Sequence, residues 1–398
     1  MATKIVACSL GCLLALGAGS ASAIDDIRIN GFLTASGSMN DSKDDNWYAN
    51  DRVLSAWRFD TGDTRLGLQV AADINERIGA TAQLLAKGGR DNFNVDLDWG
   101  YVSYQAADPL AVRAGKVKLP TFLVSDYIEV GYAYPWIRPP QEVYILNPIT
   151  SIAGVDLLYR PNIGDFDLLI QPYFGTESDE AFVSSAFVEA SAVFPPEFQL
   201  ENGDQVNFDA EQLIGVNASF GNDIFSVRAG YLQTKVSSDF ADPIGLGFRN
   251  ETAKFWSLGF NMDWHNFIAY AEYAERDEDG LAEAAFPDQK SYYGTLGYRI
   301  GRFLPHITYA VIDEGQDIPE VPGFGAFESA VLKQESWTGG LRYELTDGAA
   351  LKLEVQYVKP DKDNGVVNFG LFDKRLNVVD DPDTDDAMMY SVAFDVIF

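Results

Sequence analysis

Short runs in which apolar and polar side chains alternate recur along most of the chain. A turn rich in Gly, Asn or Asp joins two runs, and a longer polar segment separates each such pair from the next. Alternation of this kind places apolar and polar side chains on opposite faces of a β-strand. Sixteen strands are predicted, over residues 27–36, 64–73, 77–87, 95–106, 110–117, 152–160, 165–175, 211–220, 224–233, 255–264, 267–275, 291–300, 303–311, 337–345, 350–358 and 388–398.

The two predicted strands without a hairpin partner lie at the two ends of the chain, at 27–36 and 388–398. Pairing between them would close the sheet and leave no edge, as a lipid environment requires. The apolar face continues on every strand, and sixteen strands enclose more space than side chains can fill. We therefore expect a transmembrane antiparallel β-barrel with a wet interior rather than a soluble barrel with a dry core.

The predicted connections alternate in length. Every second one has two to four residues, and the others are longer. Outer-membrane barrels have short periplasmic turns and long external loops, so periplasmic chain ends would put every long loop outside. The long connections cover approximately residues 37–63, 88–94, 118–151, 176–210, 234–254, 276–290, 312–336 and 359–387.

Residues 118–151 form the long connection with the least loop-like composition. Five prolines exclude a regular ladder strand. Aromatic and aliphatic side chains make the segment too apolar for an ordinary solvated loop. Long apolar loops usually act as lids, plugs or constrictions. We predict that this third loop folds back into the bore and narrows it. The aromatic residues are Phe122, Tyr127, Tyr132, Tyr134, Trp136 and Tyr144.

The first 23 residues are predicted to be a signal peptide. Lys4 precedes an apolar stretch over 5–19, and Ala-Ser-Ala at 21–23 fits a cleavage site. The stretch is shorter than the roughly 20 residues of a transmembrane helix. A lipoprotein anchor at Cys12 is the disfavoured alternative, because the apolar run continues past that cysteine. Residues 24–398 would then form one exported barrel domain.

Net charge and histidine content exclude several function classes. A formal charge of −30 gives no basic footprint for nucleic acid. His265 and His306 are the only histidines, and no zinc constellation accompanies them, so no cofactor and no enzymatic activity are expected. A long-chain fatty-acid transporter would need an N-terminal plug, and only three residues separate Ile24 from the first predicted strand.

Four short motifs carry a resemblance to a known family. They are Ile-Asn-Gly-Phe-Leu at 29–33, Thr-Arg-Leu-Gly-Leu-Gln at 64–69, Val-Arg-Ala-Gly-Lys-x-x-x-Pro at 112–120, and the alternating end from Tyr390 to Phe398. Together with the strand count, they resemble Gram-negative outer-membrane porins of the sixteen-stranded type. The acidic Pro-Glu-Phe-Gly-Gly tip of many general porins is absent from 118–151.

The resemblance implies a homotrimer in the outer membrane, a periplasmic N-terminus and a third loop inside the pore. The expected function is a water-filled channel for passive diffusion of small hydrophilic solutes and ions. The alternative is a porin specific for small carboxylates or similar anions.

Alternation places several arginines on the lumen side, where fixed charges control selectivity. Arg65, Arg77 and Arg113 could form one basic wall opposite charges of the third loop, which gives a slight anion preference. Alternatively, lumen arginines pair with Asp73, Asp156 and Glu344. The candidate pore and constriction residues are Arg65, Arg77, Arg113, Asp126, Glu129, Arg138, Glu142, Arg228 and Arg342.

Acidic clusters occupy three of the long connections, at 41–45, 276–280 and 380–386. All three are expected to face outside. They are either solvated loops or sites where divalent ions bridge to lipopolysaccharide phosphates. Membrane lipid and lipopolysaccharide are therefore the expected surroundings, and small solutes and ions are the expected cargo.

Overall fold

The computed structural model describes residues 26–41, 46–48, 51–53, 56–59, 62–88, 93–182, 205–238, 247–280, 282–283, 288–314, 320–321, 325–326, 333–360, 372–373 and 386–398. Sixteen long strands, each antiparallel to its neighbours, form one sheet. They are β1 Asp26–Asn40, β2 Arg65–Asn75, β3 Ile78–Gly88, β4 Phe93–Ala107, β5 Leu110–Lys118, β6 Ser151–Tyr159, β7 Phe166–Phe182, β8 Gln205–Gly221, β9 Phe225–Ser238, β10 Phe248–Trp264, β11 Phe267–Glu278, β12 Gln289–Tyr298, β13 Phe303–Glu314, β14 Gln334–Thr346, β15 Ala349–Pro360 and β16 Ala387–Ile397.

Strand β1 closes the barrel by pairing with both β2 and β16. Its first half pairs with β2 from Asp26 to Thr34, and its second half pairs with β16 from Phe32 to Asn40. Gly31 and Phe398 exchange backbone hydrogen bonds of 2.7 and 2.9 Å. The predicted closure between the two chain ends is confirmed, and the closed ladder leaves no strand edge for lipid to meet.

The strands coincide with the predicted runs but reach further at the end that bears the long loops. Strands β7, β8 and β10 contain the predicted runs 165–175, 211–220 and 255–264. They extend these runs toward the long loops by seven, six and seven residues. There the outward side chains are polar and exposed, as at Asn207 and Asp209, whereas the inward side chains of Phe208 and Ala210 are buried. The lipid-facing pattern that predicts the strand therefore ends, although the backbone ladder continues.

Short elements supplement the sixteen long strands. Asn46–Tyr48, Asp51–Val53 and Phe372–Asp373 form a small sheet, Glu320–Val321 pairs with Gly325–Ala326, and Asn162–Ile163 pairs with β7. Helical turns occur at Ser125–Tyr127, Gly131–Ala133 and Gln141–Tyr144. In the part of the chain that the structure describes, no helix is long and apolar enough to cross a membrane.

The outer face of the barrel is an apolar band between two aromatic belts. Leu296 and Ile307 are more than half exposed in its middle. The belts contain Tyr and Trp, whose rings suit the boundary between lipid and water. Near the turns, the ring pairs are Phe267–Tyr298 and Phe303–Tyr343, and toward the loops they are Trp256–Tyr273 and Tyr309–Trp337.

Some predictions fall on residues outside the described part of the chain. These are the signal peptide at 1–23, the start of the domain at Ile24, and most of the acidic clusters 41–45 and 380–386. The third cluster, 276–280, was predicted to face outside, and this is wrong for two of its residues. Arg276 and Glu278 lie on β11 with buried side chains, and Arg276 Nη1 donates to the carbonyl of Leu146 at 3.1 Å.

Candidate functional site

The candidate site is the constriction loop, defined here as residues 119–150. It leaves β5 at Lys118, enters the barrel interior, contacts strands on the far side and returns at Ser151. Val124 and Val143 are fully buried, and Tyr134 and Trp136 are 1% exposed. The predicted folding of the third loop into the bore is therefore confirmed.

Trp136 anchors the middle of the loop to β12 and β13. Its indole Nε1 donates to the hydroxyl oxygens of Thr295 and Thr308, both at 3.1 Å. The ring packs edge-on against Tyr270 and Tyr293, with centroids 4.8 and 5.6 Å away. An aromatic ring packed this way, with its N–H satisfied, is a strong and directional anchor.

Lys352 satisfies the carbonyl groups that the loop exposes to the wall. Its Nζ donates to the carbonyl oxygens of Gly131 and Trp136, each at 2.6 Å, and lies 2.9 Å from Asp395 Oδ2. Lys352 and Asp395 are themselves 1% exposed. The irregular loop backbone can lie inside the barrel because lumen side chains take the place of water.

Two buried carboxylates accept the loop's backbone N–H groups. Glu354 on β15 accepts from Ile137 N at 2.9 Å. Glu272 on β11 accepts from Leu123 N at 2.7 Å and from the Tyr144 hydroxyl at 3.0 Å. Strands on widely separated parts of the wall thus fix both halves of the loop.

Gly131 marks the closest approach of the loop backbone to the wall. A Cβ at this position would overlap the Asp395 carboxylate of β16 and the Thr34 hydroxyl of β1. Those two side chains are joined by a 2.7 Å hydrogen bond. Only glycine leaves room for this contact, which holds the loop against the seam where the barrel closes.

Arg65 is the first predicted pore residue, and it lies on the inner wall with an acidic partner. Its Nη1 donates to Glu129 Oε2 at 2.7 Å, its Nη2 lies 3.3 Å from the Tyr134 hydroxyl, and the residue is 5% exposed. Burial alone would raise the pKa of Glu129. The positive charges of Lys87, Arg65 and Lys118 outweigh that effect and hold the pKa well below its usual value.

Arg113 also lies on the inner wall and is also paired. Its Nε donates to Asp156 Oδ1 at 2.9 Å, and its Nη2 donates to Asp156 Oδ2. The guanidinium lies over the Tyr101 ring, 4.9 Å from the centroid. Gln171 donates a further hydrogen bond to Asp156 at 2.7 Å, so the carboxylate is fully engaged.

Arg138 is a positively charged residue of the constriction loop that contacts the seam where the barrel closes. Its Nε donates to Asp63 Oδ2 at 2.9 Å, and its Nη2 pairs with the same oxygen. Further hydrogen bonds reach Ser38 Oγ at 2.8 Å and Ser391 Oγ at 3.3 Å. Arg138 therefore ties the loop to β1, β16 and the segment that precedes β2.

Arg228 on β9 joins the wall to the first part of the loop. Its Nη1 donates to Asp126 Oδ2 at 2.8 Å and to the Leu123 carbonyl at 3.2 Å, and its Nε donates to Asn217 Oδ1 at 2.9 Å. The Asp126 side chain stays 48% exposed despite this pair. Asp126 thus presents negative charge to the remaining opening.

Arg342 on β14 follows the same pattern. Its Nε and Nη2 donate to the two oxygens of Glu344, each at 3.0 Å. Its Nη1 donates to the carbonyls of Tyr132 and Tyr134 at 2.7 and 3.1 Å, and the guanidinium stacks on the Tyr132 ring. The arginine therefore neutralises one carboxylate while holding the loop backbone.

Glu142 differs from the other loop charges because it is fully buried. Gln334 Nε2 donates to its Oε1 at 2.8 Å, and its Oε2 has no hydrogen-bond partner among the described residues. Burial raises the pKa of Glu142, and hydrogen bonds from Ser336 and Gln334 offset this only in part. The prediction that Glu142 faces the opening is wrong, because the helical turn Gln141–Tyr144 packs it against β14.

The predicted wall of three arginines needs one correction. Arg77 lies in the two-residue turn between β2 and β3, and its side chain is exposed there. The turn, predicted over residues 74–76, begins two residues later at Glu76, because Asn75 Oδ1 accepts hydrogen bonds from the backbone N–H groups of Arg77 and Ile78. The other two arginines of the predicted wall form ion pairs, as the alternative interpretation expected. However, Arg65 pairs with Glu129, and Asp73 pairs with Arg28.

Lys87 is a half-exposed basic side chain on the lumen side that the candidate set lacked. It faces Arg65 across β2 and β3, lies 4.0 Å from Glu129 and is 47% exposed. Alternation alone places it on the lumen side. Lys87 stays exposed while the neighbouring Arg65 is buried because of the path that the constriction loop takes. No sequence pattern predicts that path.

The two histidines lie in different environments. His265 lies in the turn after β10 and stacks on Trp264, whereas His306 is buried on the lumen face of β13 near Glu354. Across the described ranges, no group of three or more metal-ligating side chains is found.

Replacing Glu129 with Gln should destabilise the loop, because Arg65 would be left buried without its acidic partner. Breaking one side of a buried ion pair costs about 3–5 kcal/mol. We expect lower thermal stability, followed by tryptophan fluorescence, and noisier single-channel currents. Removing both charges in Arg65→Gln/Glu129→Gln should recover much of the loss. An unchanged Glu129→Gln protein would contradict this role.

Replacing Glu142 with Gln should stabilise the protein only at higher pH. A raised pKa means that the native state favours the protonated acid, so stability from this group is present below pH 4.5 and lost as pH rises through the native pKa. Gln mimics the protonated form. Unfolding temperatures of the two proteins should agree in acid and diverge in favour of Glu142→Gln at alkaline pH. An equal difference at every pH would refute the explanation.

The fold is similar to that of solved outer-membrane proteins. OmpF of Salmonella typhi, in a complex with daunomycin, matches with a TM-score of 0.56 and 17% identity over 93% of this chain and 97% of that one. The outer-membrane channel DcaP of Acinetobacter baumannii matches with a TM-score of 0.55 and 11% identity, over 94% of this chain and 97% of that one. A trimer form of OmpT of Vibrio cholerae matches with a TM-score of 0.54 and 12% identity, over 94% of this chain and 99% of that one.

No curated protein sequence matches the chain. A family model described as Gram-negative porin matches residues 10–363, which is most of the sequence. The barrel, its closure and the loop across its bore agree with that match. The chain therefore belongs to the Gram-negative porin family, and it is an outer-membrane channel protein.

Proposed function

We propose that this channel admits small hydrophilic solutes and ions by passive diffusion, and that the constriction loop sets its size limit. The observation that carries the proposal is the anchoring of the loop. Trp136, Lys352, Glu272 and Glu354 fix it to separate parts of the wall. A loop held in this way acts as a permanent narrowing rather than as a lid that opens.

Selectivity at the constriction should be weak. The slight anion preference expected from the sequence depends on arginines with free charge, and Arg65, Arg113 and Arg228 each have an acidic partner. Paired charges contribute little field beyond a few ångströms in salt solution. Lys87 and Asp126 also have oppositely charged neighbours, at 4.0 and 2.8 Å, but their side chains are 47% and 48% exposed, so each still presents charge to the opening. The residual preference therefore reflects the balance between these two groups.

We also propose that the protein is a homotrimer in lipid and lipopolysaccharide. The family supports this assembly, as does the trimer form of OmpT of Vibrio cholerae. Acidic loop residues would contact lipopolysaccharide phosphates through divalent ions.

A channel specific for small carboxylates is the second candidate. It is favoured by a cavity near the turn end of the barrel that contains three arginines and one carboxylate. Specific and general channels differ in whether one solute saturates the current at low concentration.

Deleting residues 126–142 and joining the ends with a Gly-Ser linker should raise single-channel conductance several-fold, because the deletion removes most of the material in the bore. Far-UV circular dichroism should still report a β-barrel, which separates a wider pore from a misfolded protein. If a folded deletion variant conducts like the wild type, the loop does not limit the pore.

Removing single exposed charges should shift the reversal potential in opposite directions. Lys87→Gln should make the channel more permeable to cations, and Asp126→Asn should make it more permeable to anions, as measured in a KCl gradient. Arg77→Gln is the control, because Arg77 lies in a turn away from the constriction. A shift in Arg77→Gln as large as that in Lys87→Gln would mean that total charge, and not the constriction, sets selectivity.

A further inference from the structure

A cavity of about 290 Å³ lies on the inner wall near the turns, between the constriction loop and the periplasmic mouth. Its lining comes from β1 to β6 and from the turn after β6. A volume at the lower end of the range for small-molecule pockets suits a solute of a few carbon atoms.

The charge of the lining is positive. It contains the guanidinium groups of Arg28, Arg113 and Arg160 and a single carboxylate, Asp73. Arg28 donates to both oxygens of Asp73, at 2.6 and 3.3 Å, so these two charges compensate each other. The uncompensated positive charge that an entering solute meets therefore comes from Arg160, and Arg113, whose charge Asp156 balances, is a second N–H donor.

Arg113 is the preorganised member of the pair. Asp156 binds its Nε and Nη2 from behind, and Asp156 is itself buried and does not line the cavity. The Tyr101 ring covers the guanidinium face at 4.9 Å. The side chain is thus held in one orientation, which lowers the entropy cost of binding a ligand beside it.

Arg160 supplies charge without a partner. Its backbone N–H donates to the Pro109 carbonyl at 2.7 Å, which fixes the start of the turn. The side chain is exposed, and in the described part of the chain its guanidinium makes no ion pair. A guanidinium with free N–H groups binds a carboxylate through paired, charge-assisted hydrogen bonds.

Thr81 and Ser103 add hydroxyl groups to the same lining, and Leu158 adds an apolar wall. We propose that this cavity is a binding site for small hydroxylated carboxylates, with Arg160 as the main anion-binding group and Arg113 as a fixed second donor. Hydroxyl groups of the solute pair with Thr81 and Ser103. The site lies on the periplasmic side of the constriction, so a solute that has crossed the loop meets it before release.

This inference rests on the proposed channel function and names the solute class for which the channel is adapted. Arg160→Gln tests it directly. Arg77→Gln is the matched control, because Arg77 is another exposed turn arginine at the same end that does not line the cavity. Gluconate is the probe, and sorbitol is its uncharged counterpart with the same carbon chain.

Gluconate added to the periplasmic side should block single-channel current in a saturable way, whereas sorbitol at the same concentration should not. Loss of one charge-assisted contact should raise the half-blocking concentration about tenfold in Arg160→Gln. Arg77→Gln should behave as the wild type. Unchanged open-channel conductance in both variants confirms that the barrel is intact.

Equal gluconate block in Arg160→Gln and wild type would overturn the inference, as would equal block by sorbitol or an equal loss in Arg77→Gln. Titration calorimetry of gluconate into the detergent-solubilised protein measures the site without any current. A protein that binds gluconate through Arg160 but forms no pore would contradict the proposed function and leave the site standing. A protein that forms a pore but binds gluconate independently of Arg160 would contradict the binding site and leave the proposed function standing.

Discussion

The rest of the structure depends on one constraint, which is that no backbone polar group in lipid or in the packed bore can be left without a partner. For the wall, β1 solves the problem by pairing with β2 along one half and with β16 along the other. For the constriction loop, which has no ladder to join, the partners are lumen side chains. Lys352, Glu354 and Glu272 donate to or accept from its backbone, so polar residues on the inner face act as part of the loop's structure.

The electrostatics of the bore follow from the same anchoring. Charges that hold the loop must be close to opposite charges, because an unpaired buried ion is costly. Arg65 with Glu129 and Arg138 with Asp63 are therefore structural pairs that leave little field for permeating ions. Charge that can act on solutes remains where side chains keep contact with water, as at Lys87 and Asp126 beside the loop. Arg160, at the periplasmic end, belongs to the same group.

Paired charges at the constriction and exposed charge at Arg160 separate two tasks, selection by size and selection by charge, that one ring of charges would otherwise have to perform. In the proposed function, the constriction sorts solutes by size with a nearly compensated lining. The basic cavity sits beyond it, where Arg113 is held by Asp156 and Arg160 is free to bind. A channel with the proposed binding site would prefer a solute class without narrowing the pore further, since that site and the proposed size filter lie at different depths.

The sequence by itself determined the barrel. Alternation with period two predicts each strand and which face meets lipid, and the turn chemistry predicts the order of hairpins, because both are local properties of the backbone. The prolines and aromatics of 118–151 also predicted a loop inside the bore. Tertiary structure alone decided which lumen charges are free. Arg65 and Lys87 are equivalent in pattern, yet Glu129 and Tyr134 bury the first and leave the second half exposed. Glu142 and Arg77 were misplaced for the same reason, since the path of an irregular loop and the exact end of a strand are set by contacts between residues far apart in the chain.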